Sequence, residues 1–212
     1  MKYIKILFFS ILLFYSSYIY ADSNFAYTKL ADKLYKPWGI AVLDDDHLLV
    51  TQKSGELFKI NIRSKAKTEI NHNLIVSEYG QGGLLDILYY NEKVYVSYAE
   101  KRDDEKYSTS VAIGELQGSS IRFNNIFQSE PPNKSKTHFG SRLEIKNDHL
   151  FVTVGERQTG NLTQELDNHF GKIIRLNLDG SVPVDNPYID IENGLNEIYM
   201  IGLRNPQGMA RS

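Results

Sequence analysis

Four polar positions in this chain could do chemistry as a set. Gln81 stands in the run Gly80-Gln81-Gly82-Gly83, His138 stands in Lys136-Thr137-His138-Phe139-Gly140, and Arg204-Asn205 precedes Pro206. A neutral imidazole can accept a proton from a substrate hydroxyl near neutral pH. An arginine offers a planar donor fork to carboxylates and polarised carbonyls. The glycines around Gln81 permit a tight turn from which its side chain projects. No Gly-Lys-Ser/Thr follows them, so a phosphate-binding loop is not read there. Taken singly each residue is ordinary, since most lone histidines and loop arginines catalyse nothing. What groups them is position: each lies just ahead of an apolar strand in successive sequence units.

The other histidines have blander contexts. His47 and His149 start equivalent strands, His72 lies between Asn71 and Asn73 in what reads as a solvated loop, and His169 enters a strand. No His-x3-His pair or HExxH occurs, so a zinc site has no support. Cysteine is absent, which excludes disulfides, thiol catalysis and cysteine-ligated metals. Lys+Arg number 24 and Asp+Glu 26, a net charge of -2, which argues against a nucleic-acid partner. Asp103-Asp104-Glu105 lacks the EF-hand spacing and reads as a solvated hairpin loop.

The elements that must carry these residues are strands. The chain of 212 residues is 42% hydrophobic and 12% aromatic, a globular and strand-leaning balance. Residues 39–51, 84–98 and 141–153 each read as strand, tight polar turn, strand, with Leu48, Val94 and Leu150 in the same place. Third strands also match, residues 55–61 with 171–177. A strand-rich unit recurring about every 40–50 residues is the arithmetic of a β-propeller blade; a β-sandwich is the alternative. Only residues 161–170 carry a weak helical period. Pro206-Gln207-Gly208-Met209-Ala210 repeats the opening Pro37-Trp38-Gly39-Ile40-Ala41. The expected fold is therefore all-β, a propeller of about three blades plus the start of a fourth. A strand over residues 25–30 is expected to be loosely held. Lys2 and Lys5, an apolar run over residues 6–15 and Ala21 describe a secretory signal peptide over residues 1–21. The apolar run is shorter than the roughly 20 residues that span a bilayer. Residues 22–212 would then form one periplasmic or secreted domain without stable membrane insertion.

Together the stretches residues 37–41, 80–86, 138–143, 166–173, 179–188 and 202–208 resemble the glucose/sorbosone dehydrogenase family, the soluble quinoprotein sugar dehydrogenases. The resemblance covers nearly all of residues 30–210. It implies a six-bladed propeller that oxidises an aldose at C1 to a lactone, with pyrroloquinoline quinone (PQQ) and calcium, and passes electrons to an acceptor. His138 falls on the family's catalytic histidine, Arg204 on its quinone-polarising arginine, Asn205 on a cofactor contact and Gln81 on a glutamine at the substrate face. Thr137 stands where the glucose-specific branch has an aspartate. The resemblance puts the calcium site and the remaining cofactor contacts in blades beyond Ser212. It thus implies a truncated form without turnover, with no calcium site in this chain. A non-catalytic propeller binding module is the alternative; a propeller lactonase would need a metal-binding carboxylate set that cannot be assigned.

Overall fold

The computed structural model describes residues 26–210. The signal peptide read at residues 1–21 lies outside them. Four strands, β1 (Pro37–Asp44), β2 (His47–Gln52), β3 (Leu57–Asn61) and β4 (Lys67–His72), form a first antiparallel sheet. The second contains β5 (Leu84–Tyr90), β6 (Lys93–Lys101), β7 (Tyr107–Gln117) and β9 (Asn124–Gln128). The third contains β10 (Gly140–Lys146), β11 (His149–Val154), β12 (Lys172–Asn177) and β13 (Ile198–Met200). The first strands β1, β5 and β10 lie side by side in chain order. This is the radial arrangement of propeller blades, as the repeated units predict.

Local chemistry explains the hairpins. The turns Asn91-Glu92 and Asn147-Asp148 carry positive φ at both residues, 47° and 62° in one and 52° and 56° in the other. That turn type has the twist that matches a hairpin, and asparagine and aspartate tolerate it better than most residues. In the first blade Asp44 instead accepts from the Asp46 N–H at 2.8 Å and meets His47 Nδ1 at 2.9 Å.

Blades pack face to face because their strands are apolar on both sides. On β6, Val94, Val96 and Tyr98 face the first blade, while Tyr95 faces the third. A polar device repeats between the blades. Thr51 Oγ1 accepts from Gly39 N–H at 2.8 Å and donates to Leu85 O at 2.5 Å. Ser97 Oγ accepts from Asp86 N–H at 3.0 Å and donates to Ser141 O at 2.6 Å. Thr153 Oγ1 accepts from Arg142 N–H at 2.9 Å and donates to Pro206 O at 2.8 Å. Each hydroxyl sits at a register shift of its inner hairpin, where the ladder leaves an N–H unpaired. It satisfies that N–H and clips its blade to the next segment. Asp86 adds a second link, accepting from Arg142 Nη1 and from Leu143 N–H, each at 2.8 Å. Burial pushes the Asp86 carboxyl above its ordinary range, against the pull of Leu143 N–H and Arg142.

Several details depart from the sequence reading. The first two blades are not separate sheets: β8 (Ser120–Ile121) pairs parallel with β4 and antiparallel with β7, joining their outer edges. The helical period at residues 161–170 yields one 3₁₀ turn, Gly160–Leu162. The carbonyls of Leu162, Thr163 and Phe170 turn instead to the buried Lys172 Nζ, at 3.3, 3.0 and 2.7 Å. Asn168 Oδ1 caps Phe170 N–H at 2.9 Å, a local bond that competes with a helix. His72 is not a solvated loop residue; it ends β4 and its Nε2 lies 2.7 Å from Gly55 O. Residues 26–30 form no strand, and Tyr27 is 93% exposed. Residues 206–210 are not a strand either, though Pro206 and Gln207 dock on the third blade through Thr153 and Arg142. The outward face of β1 is open, with Ile40 64% and Val42 68% exposed. Among the described residues no helix is long and apolar enough to cross a membrane.

Candidate active site

The loops entering β5 and β10 meet at one end of the inner strands. Gly80 and Gly83 take φ of 61° and 158°. A Cβ on Gly80 would stand 2.2 Å from Lys136 O, so glycine is what lets the two loops touch. Gln81 N–H donates to Lys136 O at 2.7 Å, and the Gln81 side-chain oxygen accepts His138 N–H at 2.8 Å. Two residues grouped by sequence position are thus in direct contact. Gln81 orients the histidine backbone in this geometry.

His138 itself has φ of 57°, a left-handed conformation that a residue with a Cβ adopts only under constraint. Its Nδ1 bonds Glu156 Oε1; the carboxylate is 7% exposed and the imidazole 17%. A carboxylate only accepts, so Nδ1 donates to it, and in the neutral ring Nε2 keeps its lone pair. Nε2 has no protein partner among the described residues. The hairpin accounts for the meeting. Gly140 pairs with Val154 across β10 and β11, and continuing that register outward by two residues sets His138 opposite Glu156. Gly155 makes it sterically possible, because a Cβ there would lie 1.9 Å from His138 O. Sequence inspection misses Glu156, although extending the β10–β11 hairpin past its last pair would have pointed to it.

The segment after β13 completes the group. Arg204 O accepts Glu156 N–H at 2.7 Å, Leu203 N–H donates to Gly171 O at 3.0 Å, and Asn205 Oδ1 accepts Gly140 N–H at 3.0 Å. The Arg204 side chain is exposed and has no hydrogen bond or ion pair among the described residues. A cleft of about 420 Å³ is lined by His138, Glu156, Gln158, Thr163, Leu203 and Arg204 among others. A lone-pair base and an unpaired cation on one cleft suit removal of a proton beside an acceptor that gains negative charge. A larger groove of about 590 Å³ at Asn73–Ile75, Tyr98 and Glu100 offers less. There the Glu100 carboxylate is already taken by Ser110, Asn125 and Gln128, at 2.6, 3.3 and 2.6 Å.

The remaining histidines serve the fold. His169 Nδ1 accepts Glu130 N–H at 2.7 Å, so its Nε2–H donates to Glu197 at 3.0 Å, tying the second blade to the third. That hydrogen bond holds the Glu197 carboxyl below its ordinary range. His149 Nε2 receives Arg175 Nη2 at 3.1 Å, and His47 Nε2 meets Asn61 Nδ2 at 3.2 Å. Asp103–Glu105 is an exposed 3₁₀ turn, as a solvated loop should be.

Known proteins resemble this chain in sequence and in fold. The sequence profile of the family described as Glucose / Sorbosone dehydrogenase matches residues 34–212. Aldose sugar dehydrogenase YliI of Escherichia coli K12 is 36% identical over 191 residues, covering 85% of this chain and 52% of its own. Quinoprotein glucose dehydrogenase B of Acinetobacter calcoaceticus is 28% identical, covering 89% and 46%. The solved apo-form of the soluble E. coli aldose sugar dehydrogenase superposes with a TM-score of 0.81 at 37% identity, over 85% of this chain and 55% of that one. A PQQ-bound aldose sugar dehydrogenase from Streptomyces coelicolor gives 0.69 at 25% identity, over 84% and 54%. The chain spans about half the length of the curated relatives it matches. With the propeller blades and a profile match over residues 34–212, this chain belongs to the glucose/sorbosone dehydrogenase family.

Proposed function

We propose that the protein serves PQQ-dependent oxidation of an aldose at C1 to the lactone, with His138 as the general base. The observation that carries this reading is the divided imidazole: Nδ1 held by Glu156, Nε2 without a protein partner, on the cleft that Arg204 also lines. PQQ, when bound, supplies an electrophilic carbonyl that accepts hydride. The cleft residues fit one edge of such a planar, carboxylate-bearing group. Arg204 offers an unpaired guanidinium, and Asn205 commits its oxygen to Gly140 while its NH2 group has no partner among the described residues. Nε2 of His138 takes the proton of the C1 hydroxyl, which makes the C1 hydrogen easier to lose as hydride. Glu156 stabilises the imidazolium that results, and Arg204 stabilises negative charge developing on the acceptor. Gln81 holds the His138 backbone and presents its remaining amide donors to the sugar. Calcium belongs to the same proposal, but among the described residues no three His, Cys, Asp or Glu side chains converge, so no ligand is assigned to it.

The test uses the protein given PQQ, calcium, a panel of aldoses and an artificial electron acceptor. PQQ binding should weaken in Arg204→Ala. Sugar-dependent reduction should fall about 10²–10⁴-fold in His138→Ala with PQQ binding retained, the usual cost of losing a positioned base. Equal turnover in wild type and His138→Ala would remove His138 from the mechanism. Absence of PQQ binding would refute the dehydrogenase reading and favour the binding module.

A further inference from the structure

We propose that Arg157 is a positioning residue for His138, its guanidinium fixing the backbone that aims the imidazole. The catalytic meaning of this inference rests on the reading of His138 as the base.

Arg157 is 2% exposed, yet no carboxylate pairs with it among the described residues. Its donors go to three backbone carbonyls: Nε to Thr137 O at 3.1 Å, Nη1 to Tyr107 O at 3.0 Å and Nη2 to Ser135 O at 2.5 Å. The guanidinium also lies 3.7 Å over the centre of the Phe139 ring. One cation therefore grips the residues immediately before and after His138. Burying a charge without a counter-charge is costly, and burial pulls the Arg157 guanidinium down to about 10, so it stays charged near neutral pH. A cation kept there suggests a demand that an apolar side chain would not meet. That demand is visible at His138, whose φ of 57° must be held against its own preference. Thr137 cannot swing to relieve it while its carbonyl is bound. Lysine could not reproduce the grip, because a point charge lacks the planar fork that reaches three acceptors and stacks on a ring. The neighbouring residue completes the logic: Glu156 orients the His138 side chain and Arg157 its main chain.

The experiment reads the tautomer of His138 by ¹H–¹⁵N NMR of the histidine rings, at a pH where they are neutral. It compares wild type, Arg157→Lys and Arg157→Met, and uses His138→Asn to assign the signal. This readout needs neither turnover nor PQQ, so failure of the dehydrogenase reading would not be mistaken for failure of this one. Wild type should show His138 protonated at Nδ1. Arg157→Met should raise the Nε2-protonated population about tenfold, the factor expected for losing one charge-assisted hydrogen bond. Arg157→Lys should fall between. His169, protonated at Nε2 by its own contacts, should not move in either variant. Where sugar oxidation is measurable, kcat should drop about 10–100-fold with KM held, as for a misplaced base. An unchanged His138 tautomer in a folded variant would overturn the proposal. Loss of folding in both variants would overturn it too, because Arg157 would then serve the fold alone.

Discussion

Thr51→Val removes one hydroxyl from the junction of the first two blades and little else, since the two side chains are nearly the same shape. In the native protein Thr51 is 0% exposed and its hydroxyl serves two backbone groups, Gly39 N–H and Leu85 O. Both lose their partner in the variant. Gly39 cannot shift to find another, because its Cα already stands where an added Cβ would meet Leu85 O at 2.7 Å. Each buried backbone group left unpaired costs about 1–3 kcal/mol, and partial relaxation brings the expected sum to about 2–4 kcal/mol. Against a usual stability of about 5–15 kcal/mol this is a large fraction. Thr153→Val is the internal control, with the same chemistry in the third blade. There the orphaned acceptor is Pro206 O, which is half-buried and can recruit water, so the cost should be only about 1–2 kcal/mol. Equilibrium unfolding in urea measures both. With a slope of about 2 kcal/mol per molar, Thr51→Val should lower the midpoint by roughly 1–2 M. A loss below about 0.5 kcal/mol, or a larger loss for Thr153→Val, would show that the clips are incidental to blade packing.

The His169–Glu197 link makes stability depend on acid. Its folded-state carboxyl titrates below the ordinary 4.5, so the unfolded chain binds more protons in that range. The contribution is complete above about pH 4.5 and drains as pH falls through the folded value. Glu197→Gln should therefore be less stable than wild type at pH 7, and the gap should close in acid; a gap constant with pH in urea titrations would contradict this. Secretion is expected to remove residues 1–21. N-terminal sequencing of exported protein should begin at Asp22, and an intact Met1 on membrane-bound protein would reject the leader.

Local chemistry in the chain was enough to prescribe the repeated hairpins. Alternating apolar residues with tight polar turns at Asn91-Glu92 and Asn147-Asp148 can be satisfied only by hairpins, and their recurrence prescribes a repeated sheet. The grouping of Gln81, His138 and Arg204-Asn205 was legible for the same reason, since equivalent positions in successive blades converge on one end of the inner strands. What was not legible depends on contacts between segments far apart in the chain. The pairing of β8 with β4, which fuses two outer edges, joins short strands too polar to announce themselves. The 3₁₀ turn that replaces a helix at residues 161–170 is decided by Lys172, whose amine draws away the carbonyls that a helix would use. Glu156 and Arg157 carry no motif, and their roles exist only because the β10–β11 hairpin returns them to His138 and burial removes water as a competing partner. The preference for Nδ1 as the proton-bearing nitrogen of a neutral His138 ring is likewise a property of the folded chain, because an isolated imidazole has no neighbour to choose between its nitrogens.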